Sequence, residues 1–166
     1  VNRDGVAHQD MMTILAQKSR DNSRTPMQWN NEPYAGFSQA QPWLDVANNY
    51  TEINAEQALE DKDSVFYFYK ALIELRKQVP VITHGRYQDL LPEHPSIFAY
   101  VRESEGQTLL CINNYYGEEA ECVLPERFEM AKAKSLLSNY QVSESLVASH
   151  HQVLRPYETR ILLIED

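Results

Sequence analysis

Residues 96–114 read SIFAYVRESEGQTLLCINN, two extended runs parted by Glu105 and Gly106. A two-residue link ending in Gly is a strong hairpin signal, because the tight turn needs left-handed backbone that Gly adopts without a Cβ clash. Runs of the same kind lie on both sides: GRYQDLL from Gly85, EAECVLP from Glu119, KSLLSN from Lys134, HQVLRP from His151 and ETRILLIE from Glu158. They recur about every 8 to 14 residues with turn residues between them, and Tyr116-Gly117 is expected to form another turn. Residues 81–166 are therefore predicted to form an all-β antiparallel sandwich.

Upstream of Pro80 the periodicity is helical. In SVFYFYKALIELRKQ, Ser64–Gln78, the residues Val65, Phe68, Tyr69, Leu72 and Leu75 follow helical spacing, Asp63 or Ser64 can cap the start, and Arg76 and Lys77 suit the C-terminal end. Phe66 and Ile73 widen the apolar arc, as on a helix held between two layers. Asn54 can cap a shorter helix, AEQALED, and Met11, Ile14, Leu15 and Lys18 mark a one-faced helix over residues 6–18. Residues 19–50 fit no period. They carry Pro26, Pro33, Pro42 and Gly36 among Trp29, Tyr34, Phe37, Trp43 and Tyr50. An irregular stretch longer than about 15 residues is functional or disordered, and five aromatics argue against disorder.

The composition excludes several function classes. The 166 residues are 43% hydrophobic and 23% charged, which fits a folded chain. With 24 acidic against 15 basic residues and a net charge of −9, neither a nucleic-acid backbone nor an anionic membrane is expected as partner. No run approaches the length of a membrane span, and residues 1–10 do not read as a signal peptide, so a cytoplasmic location is expected. Cys111 and Cys122 sit in apolar runs without CxxC spacing and read as reduced thiols. His150-His151 has no third ligand nearby, His84 and His94 fall in or beside turns, and no phosphate-cradling glycine loop occurs, so neither metal nor cofactor is expected. The chain opens at Val1, as an excised piece of a longer protein would.

SRDNSRTPMQW, Ser19–Trp29, concentrates planar polar groups and aromatics of the kind that bind sugars: Arg, Asp and Asn for vicinal hydroxyls, rings for C–H faces. The same inventory fits a coil whose arginines are tied to carboxylates and whose rings fill small cores. SRDNSRTPMQWN, AGFS from Ala35, PW from Pro42, NY from Asn49, EIN from Glu52 and the helix SVFYFYKALIELRK together resemble the end of the catalytic barrel of family 13 α-glucosidases. HPSIFAYVRES, QTLLCINN and LRPYETRILL resemble the C-terminal β-domain of the same family.

That resemblance implies an α+β fragment: the last helices and loops of a (β/α)8 barrel over residues 1–80, then the antiparallel sandwich over 81–166. A whole barrel takes about 250 residues, so most of it would lie elsewhere. It further implies retaining hydrolysis, with an Asp nucleophile and a Glu acid/base about 5 Å apart on the missing strands. No Asp or Glu of this chain is assigned as catalytic, and the isolated chain is expected to be inactive. QKSRDNSRTPMQW and GRYQDLLPEHPSIFAY resemble members that hydrolyse trehalose 6-phosphate; isomalto-oligosaccharide ends are the alternative substrate, and a stand-alone carbohydrate-binding module is the alternative from another class. The substrate is in each case a small carbohydrate, and the oligomeric state is left open. In this branch the first Arg of the motif, Arg20, is expected to reach the terminal glucose beside an Asp from an early barrel loop, since a guanidinium fork can hold both. Arg24 is the second substrate-binding candidate, Asp21 and Asn22 are expected to shape the turn, Thr25-Pro26 to keep the chain extended, and Trp29 to pack beneath it.

Overall fold

The computed structural model of the chain describes residues 8–143 and 145–165. Among the described residues lie four α-helices, α1 (His8–Lys18), α2 (Ala55–Glu60), α3 (Val65–Gln78) and α4 (Val81–His84). Eight strands follow: β1 (Arg86–Asp89), β2 (Ile97–Ser104), β3 (Gln107–Asn114), β4 (Ala120–Val123), β5 (Lys132–Ser138), β6 (Ser145–Val147), β7 (His151–Leu154) and β8 (Thr159–Glu165). The chain divides into two compact units, residues 1–66 and 67–166.

In the second unit the predicted hairpin forms as β2 and β3, paired from Ile97 with Asn114 to Ser104 with Gln107. Glu105 (φ 51°) and Gly106 (φ 74°) are both left-handed, the geometry of the type I′ turn that suits the strand twist. The strands form two antiparallel sheets, a six-stranded one in the order β1-β2-β3-β8-β5-β6 and a pair, β4-β7. Alternation along β2 sends Ile97, Ala99 and Val101 into the layer between the sheets, where Leu110, Ile112 and Leu162 meet Cys122, Leu124 and Leu154. On the opposite face Leu109, Cys111 and Ile161 pack with Val81 of α4 and Leu72 of α3. The unbroken run Leu109–Ile112 is thus buried on both faces, as its lack of alternation implies. Burial pushes the thiol of Cys122 up to about 11, so it stays protonated.

Tyr116-Gly117 turns the chain as the sequence implies, and β4 beyond it joins the other sheet. Three local details differ from the sequence reading. The strand β6 was not foreseen, its three residues being too few for a period, and Val81–His84 is helical where extended chain was expected. GRYQDLL extends only to Asp89, whose Oδ1 accepts the Leu91 N–H (3.2 Å) and bends the chain.

Two polar ties hold the ends of the sandwich. His94 Nδ1 accepts the N–H groups of Ser96 (3.2 Å) and Ile97 (2.8 Å), so its proton sits on Nε2, which donates to the Glu121 carbonyl (3.0 Å) and links the start of β2 to β4. At the other tie Glu158 is 0% exposed. Its carboxylate accepts from the Arg155 backbone N–H (2.8 Å), Arg155 Nη2 (3.0 Å) and Arg160 Nε (2.8 Å). Beside it Asn114 donates to the carbonyls of Glu118 (2.7 Å) and Arg155 (3.0 Å), and the Arg155 guanidinium lies 3.9 Å from the centre of the Tyr140 ring.

Burial alone would raise the Glu158 carboxyl, but the hydrogen bonds from Arg155 and Arg160 outweigh it and hold the group down at about 2. A folded value below the unfolded one of about 4.3 means the stabilisation is complete above the unfolded value and fades as pH falls toward the folded one. Unfolding monitored from pH 5 to pH 2 should therefore show falling stability. Glu158→Gln should flatten that slope and cost about 1–3 kcal/mol at neutral pH, because it weakens the charge-assisted hydrogen bonds from two arginines that are themselves partly exposed.

Candidate functional site

The motif that resembles a sugar site lies wholly in the first unit. α1 ends at Lys18, and Ser19, whose N–H reaches Leu15 O (2.9 Å), starts a single 3-10 turn over Arg20–Ser23. Ser19 Oγ accepts the Asp21 N–H (3.3 Å), Ser23 Oγ donates to Arg20 O (2.9 Å), and the Arg24 N–H closes on Asp21 O (3.0 Å). Asp21 shapes this turn through its backbone. Arg20 starts the turn and Arg24 leaves it, and both are exposed. Among the described residues neither guanidinium meets a hydrogen-bond or ion-pair partner, so no carboxylate described here ties them down.

After Thr25 and the buried Pro26, the main chain of Gln28 and Trp29 serves as the cap of α2. Gln28 O accepts the Ala55 N–H (2.9 Å) and Trp29 O the Glu56 N–H (3.0 Å), two donors that a helix start leaves without internal partners. Asn54, buried, completes the cap: its Oδ1 accepts Gln57 N–H (2.9 Å) and its Nδ2 donates to Tyr50 O (2.9 Å). Gln28 Nε2 reaches the Ile53 carbonyl and Asn49 Oδ1. The capping role of Asn54 is legible in the sequence; that of Gln28 carries no local signal.

The next loop is strained. Tyr34, Ala35 and Gly36 are left-handed in succession (φ 55°, 57° and 63°), which costs the two non-glycine residues about 1–2 kcal/mol each. The fully buried Ala35 anchors the loop by accepting the N–H groups of Trp29 (2.9 Å) and Asn30 (3.3 Å). A Cβ on Gly36 would stand 2.5 Å from Asn30 Oδ1, so a side chain there would displace the Asn30 amide as well as strain the backbone. The sequence PYAG marks a break through its Pro and Gly but says nothing of the two residues between.

Trp29 does not pack beneath the motif. It is 53% exposed and, with Met27, Ile53, Leu59 and Phe66, lines an open apolar cleft of about 530 Å³. Trp43 is 93% exposed. Of residues 8–66 whose side chains are described, only Pro26, Ala35 and Asn54 are buried. The aromatics of this unit therefore do not fill a core of their own. Among the described residues no three His, Cys, Asp or Glu side chains stand close enough to hold a metal ion, and no helix is long and apolar enough to cross a membrane.

A family model described as the alpha amylase catalytic domain matches residues 1–85, and one described as the maltogenic amylase C-terminal domain matches residues 87–161. The chain belongs to the alpha-amylase family. Its relatives are family 13 glycoside hydrolases, and it corresponds to a C-terminal portion of them, the end of the barrel plus the β-sandwich. It is 47% identical to the trehalose-6-phosphate hydrolase of Bacillus subtilis over 157 residues, 93% of this chain and 28% of the relative. It is 54% identical to that of Escherichia coli over 114 residues, 69% of this chain and 21% of the relative. The oligo-1,6-glucosidase of Halalkalibacterium halodurans is 44% identical over 159 residues, 96% of this chain and 28% of the relative. The crystal structure of the Bacillus licheniformis trehalose-6-phosphate hydrolase superposes on 98% of this chain and 29% of its own, with a TM-score of 0.89 at 43% identity. The chain thus spans less than a third of the length of these curated relatives.

The cap on α2 offers a local test. Asn54→Ala should cost about 1–2 kcal/mol in that helix, seen as roughly tenfold faster hydrogen exchange at the Gln57 amide with the β-strands unchanged.

Proposed function

We propose that the chain is the C-terminal part of a retaining α-glucosidase that hydrolyses trehalose 6-phosphate to glucose and glucose 6-phosphate. Residues 1–80 are the end of its catalytic barrel and residues 81–166 its β-domain. The observation that carries the substrate is the higher identity to the two trehalose-6-phosphate hydrolases than to the oligo-1,6-glucosidase. The 44% identity to the latter keeps isomalto-oligosaccharide ends as the second reading. A phosphorylated disaccharide does not cross a bilayer unaided, so the reaction belongs in the cytoplasm, with no nucleic acid or membrane as partner.

In this reading the nucleophile and the acid/base come from the rest of the barrel, and this chain supplies one wall of the pocket. A glucosyl unit is transferred to the Asp and then to water, the Glu first protonating the leaving oxygen and later deprotonating the water. Arg20 holds the terminal glucose. Its exposed guanidinium, free of described partners, is available to an Asp and a sugar hydroxyl together, a two-sided contact that the point charge of Lys does not reproduce. Arg24 lines the same wall in a lesser role. No metal or cofactor takes part.

The purified chain should hydrolyse no glucoside and bind no glucose; measurable turnover by it alone would overturn this reading. A chimera that joins the upstream part of the Bacillus subtilis relative to this chain should prefer trehalose 6-phosphate to isomaltose. In it Arg20→Lys should lower kcat/KM by about 10²–10³ and Arg24→Lys by about tenfold or less, the loss expected for a positioned charge-assisted pair.

A further inference from the structure

The first unit has little core of its own, so the placement of the motif within it depends on hydrogen bonds. Ser19, Ser23, Asn54 and Ser64 each bond within six residues of themselves. Gln28 reaches much further. Its Nε2 donates to Asn49 Oδ1 (3.3 Å) and to the Ile53 carbonyl, 21 and 25 residues along the chain, while its own carbonyl accepts the Ala55 N–H (2.9 Å). Side chain and main chain of one residue thus grip residues 49–55 from both ends. That segment is itself a closed turn: the N–H groups of Glu52 (3.0 Å) and Ile53 (2.8 Å) both bond Asn49 O, and Asn54 Nδ2 bonds Tyr50 O (2.9 Å).

We propose that Gln28 is a positioning residue for Arg20, an inference that rests on reading this chain as one wall of an α-glucosidase pocket. The turn over Arg20–Ser23 keeps its own shape through local bonds, but those bonds leave its place in the unit open. On one side α1 has no buried side chain among those described. On the other, Arg24, Thr25, Pro26 and Met27 join the turn to Gln28, and the buried Pro26 fixes its own φ and restricts Thr25 before it. So short and stiff a link passes a displacement from one end to the other, and the grip at Gln28 sets where the guanidinium stands. Capping of α2 does not call for this side chain, since any residue at position 28 supplies the carbonyl that takes the Ala55 N–H. Nor does stability. Asn49 and Ile53 are exposed, Ile53 at 64%, so water can replace the amide at both acceptors. The contribution that water cannot replace is registry, and a shift of about 1 Å in a substrate contact can cost activity about a hundredfold.

A double-mutant cycle in the chimera with the Bacillus subtilis relative tests this role. Gln28→Met, close in size but unable to donate, should lower kcat/KM by about tenfold. Gln28→Glu, matched in shape and equally unable to donate to the Ile53 carbonyl, should lose as much. In the Arg20→Lys background Gln28→Met should lower kcat/KM by less than about twofold further, because the contact that it misplaces is already gone. Full losses in both backgrounds would assign Gln28 to general stability and overturn the proposal, as would unchanged kcat/KM in the single variants. The cycle is read on whichever glucoside the chimera cleaves, so a preference for isomaltose overturns the substrate and leaves the positioning standing. A second measurement needs no turnover. Spin labels at Asp21 and Glu56, both exposed, should report one narrow distance in the chimera and a clearly broader spread in its Gln28→Met variant. Equal widths overturn the proposal even in an active enzyme, whereas broadening in a chimera that cleaves no glucoside keeps the grip of Gln28 and overturns the proposed function.

Discussion

Strand β3 must be covered on both faces, and the second unit is arranged around that requirement. Leu110 and Ile112 need the two-stranded sheet, while Leu109 and Cys111 need α4 and the inner side of α3. Each such side chain contributes about 1.5–3 kcal/mol when buried, so neither cover can be lost cheaply. The left-handed turn at Glu105-Gly106 sets the register that puts alternate residues of β2 on the correct side; a slip of one residue would exchange Val101 with Arg102.

The polar ties follow from the same constraint. A sandwich closed over a two-faced strand leaves backbone donors and acceptors at its ends without ladder partners. His94 takes up two N–H groups where β2 begins, and Asn114 takes up two carbonyls where β3 ends. Glu158 goes further, burying a full charge that is tolerated because two arginines and a backbone N–H surround it. Its partners Arg155 and Arg160 lie within three residues of it in the sequence, so the tie is largely assembled by one turn, RPYETR.

How much of this was legible in the sequence depends on how local each cause is. The hairpin, the fully buried run LLCI and the cap at Asn54 depend on a few neighbouring residues and could be read directly. So could the polar turn at Ser19–Arg24, whereas the reach of Arg20 is implied only by the family resemblance. The burial of Glu158 was not legible, since a charged residue before a strand ordinarily faces water and its cover depends on distant segments that tie its partners, Asn114 bonding the Arg155 carbonyl and Gln152 accepting from Arg160. Tyr34 and Ala35 hid their left-handed backbone because the strain is held from outside the turn, through the N–H groups of Trp29 and Asn30 that bond Ala35 O. Trp29 was misplaced for a related reason: aromatic character predicts burial, but not which part of a protein provides the cover.

That last point separates the two units. The described residues of 67–166 bury a continuous core and satisfy most of their buried polar groups, Arg102 Nε and His150 Nδ1 being left without a partner, whereas residues 8–66 bury two small side chains and an amide among those described. A segment with Trp29, Trp43, Ile53, Leu59 and Phe66 in water is not explained by its own energetics, because folding must offset about 1–2 kcal/mol of backbone entropy per residue. Its order has to come from outside. The same incompleteness runs through the chemistry: two arginines on a well-capped turn, in a chain of net charge −9, meet no described acid. Among the described residues of this unit, apolar cover and ionic partner are missing together, and under the proposed function one body of protein, the remainder of the barrel, would supply both. The turn that carries Arg20 needs no such help, because Ser19, Asp21 and Ser23 close it through their own hydrogen bonds.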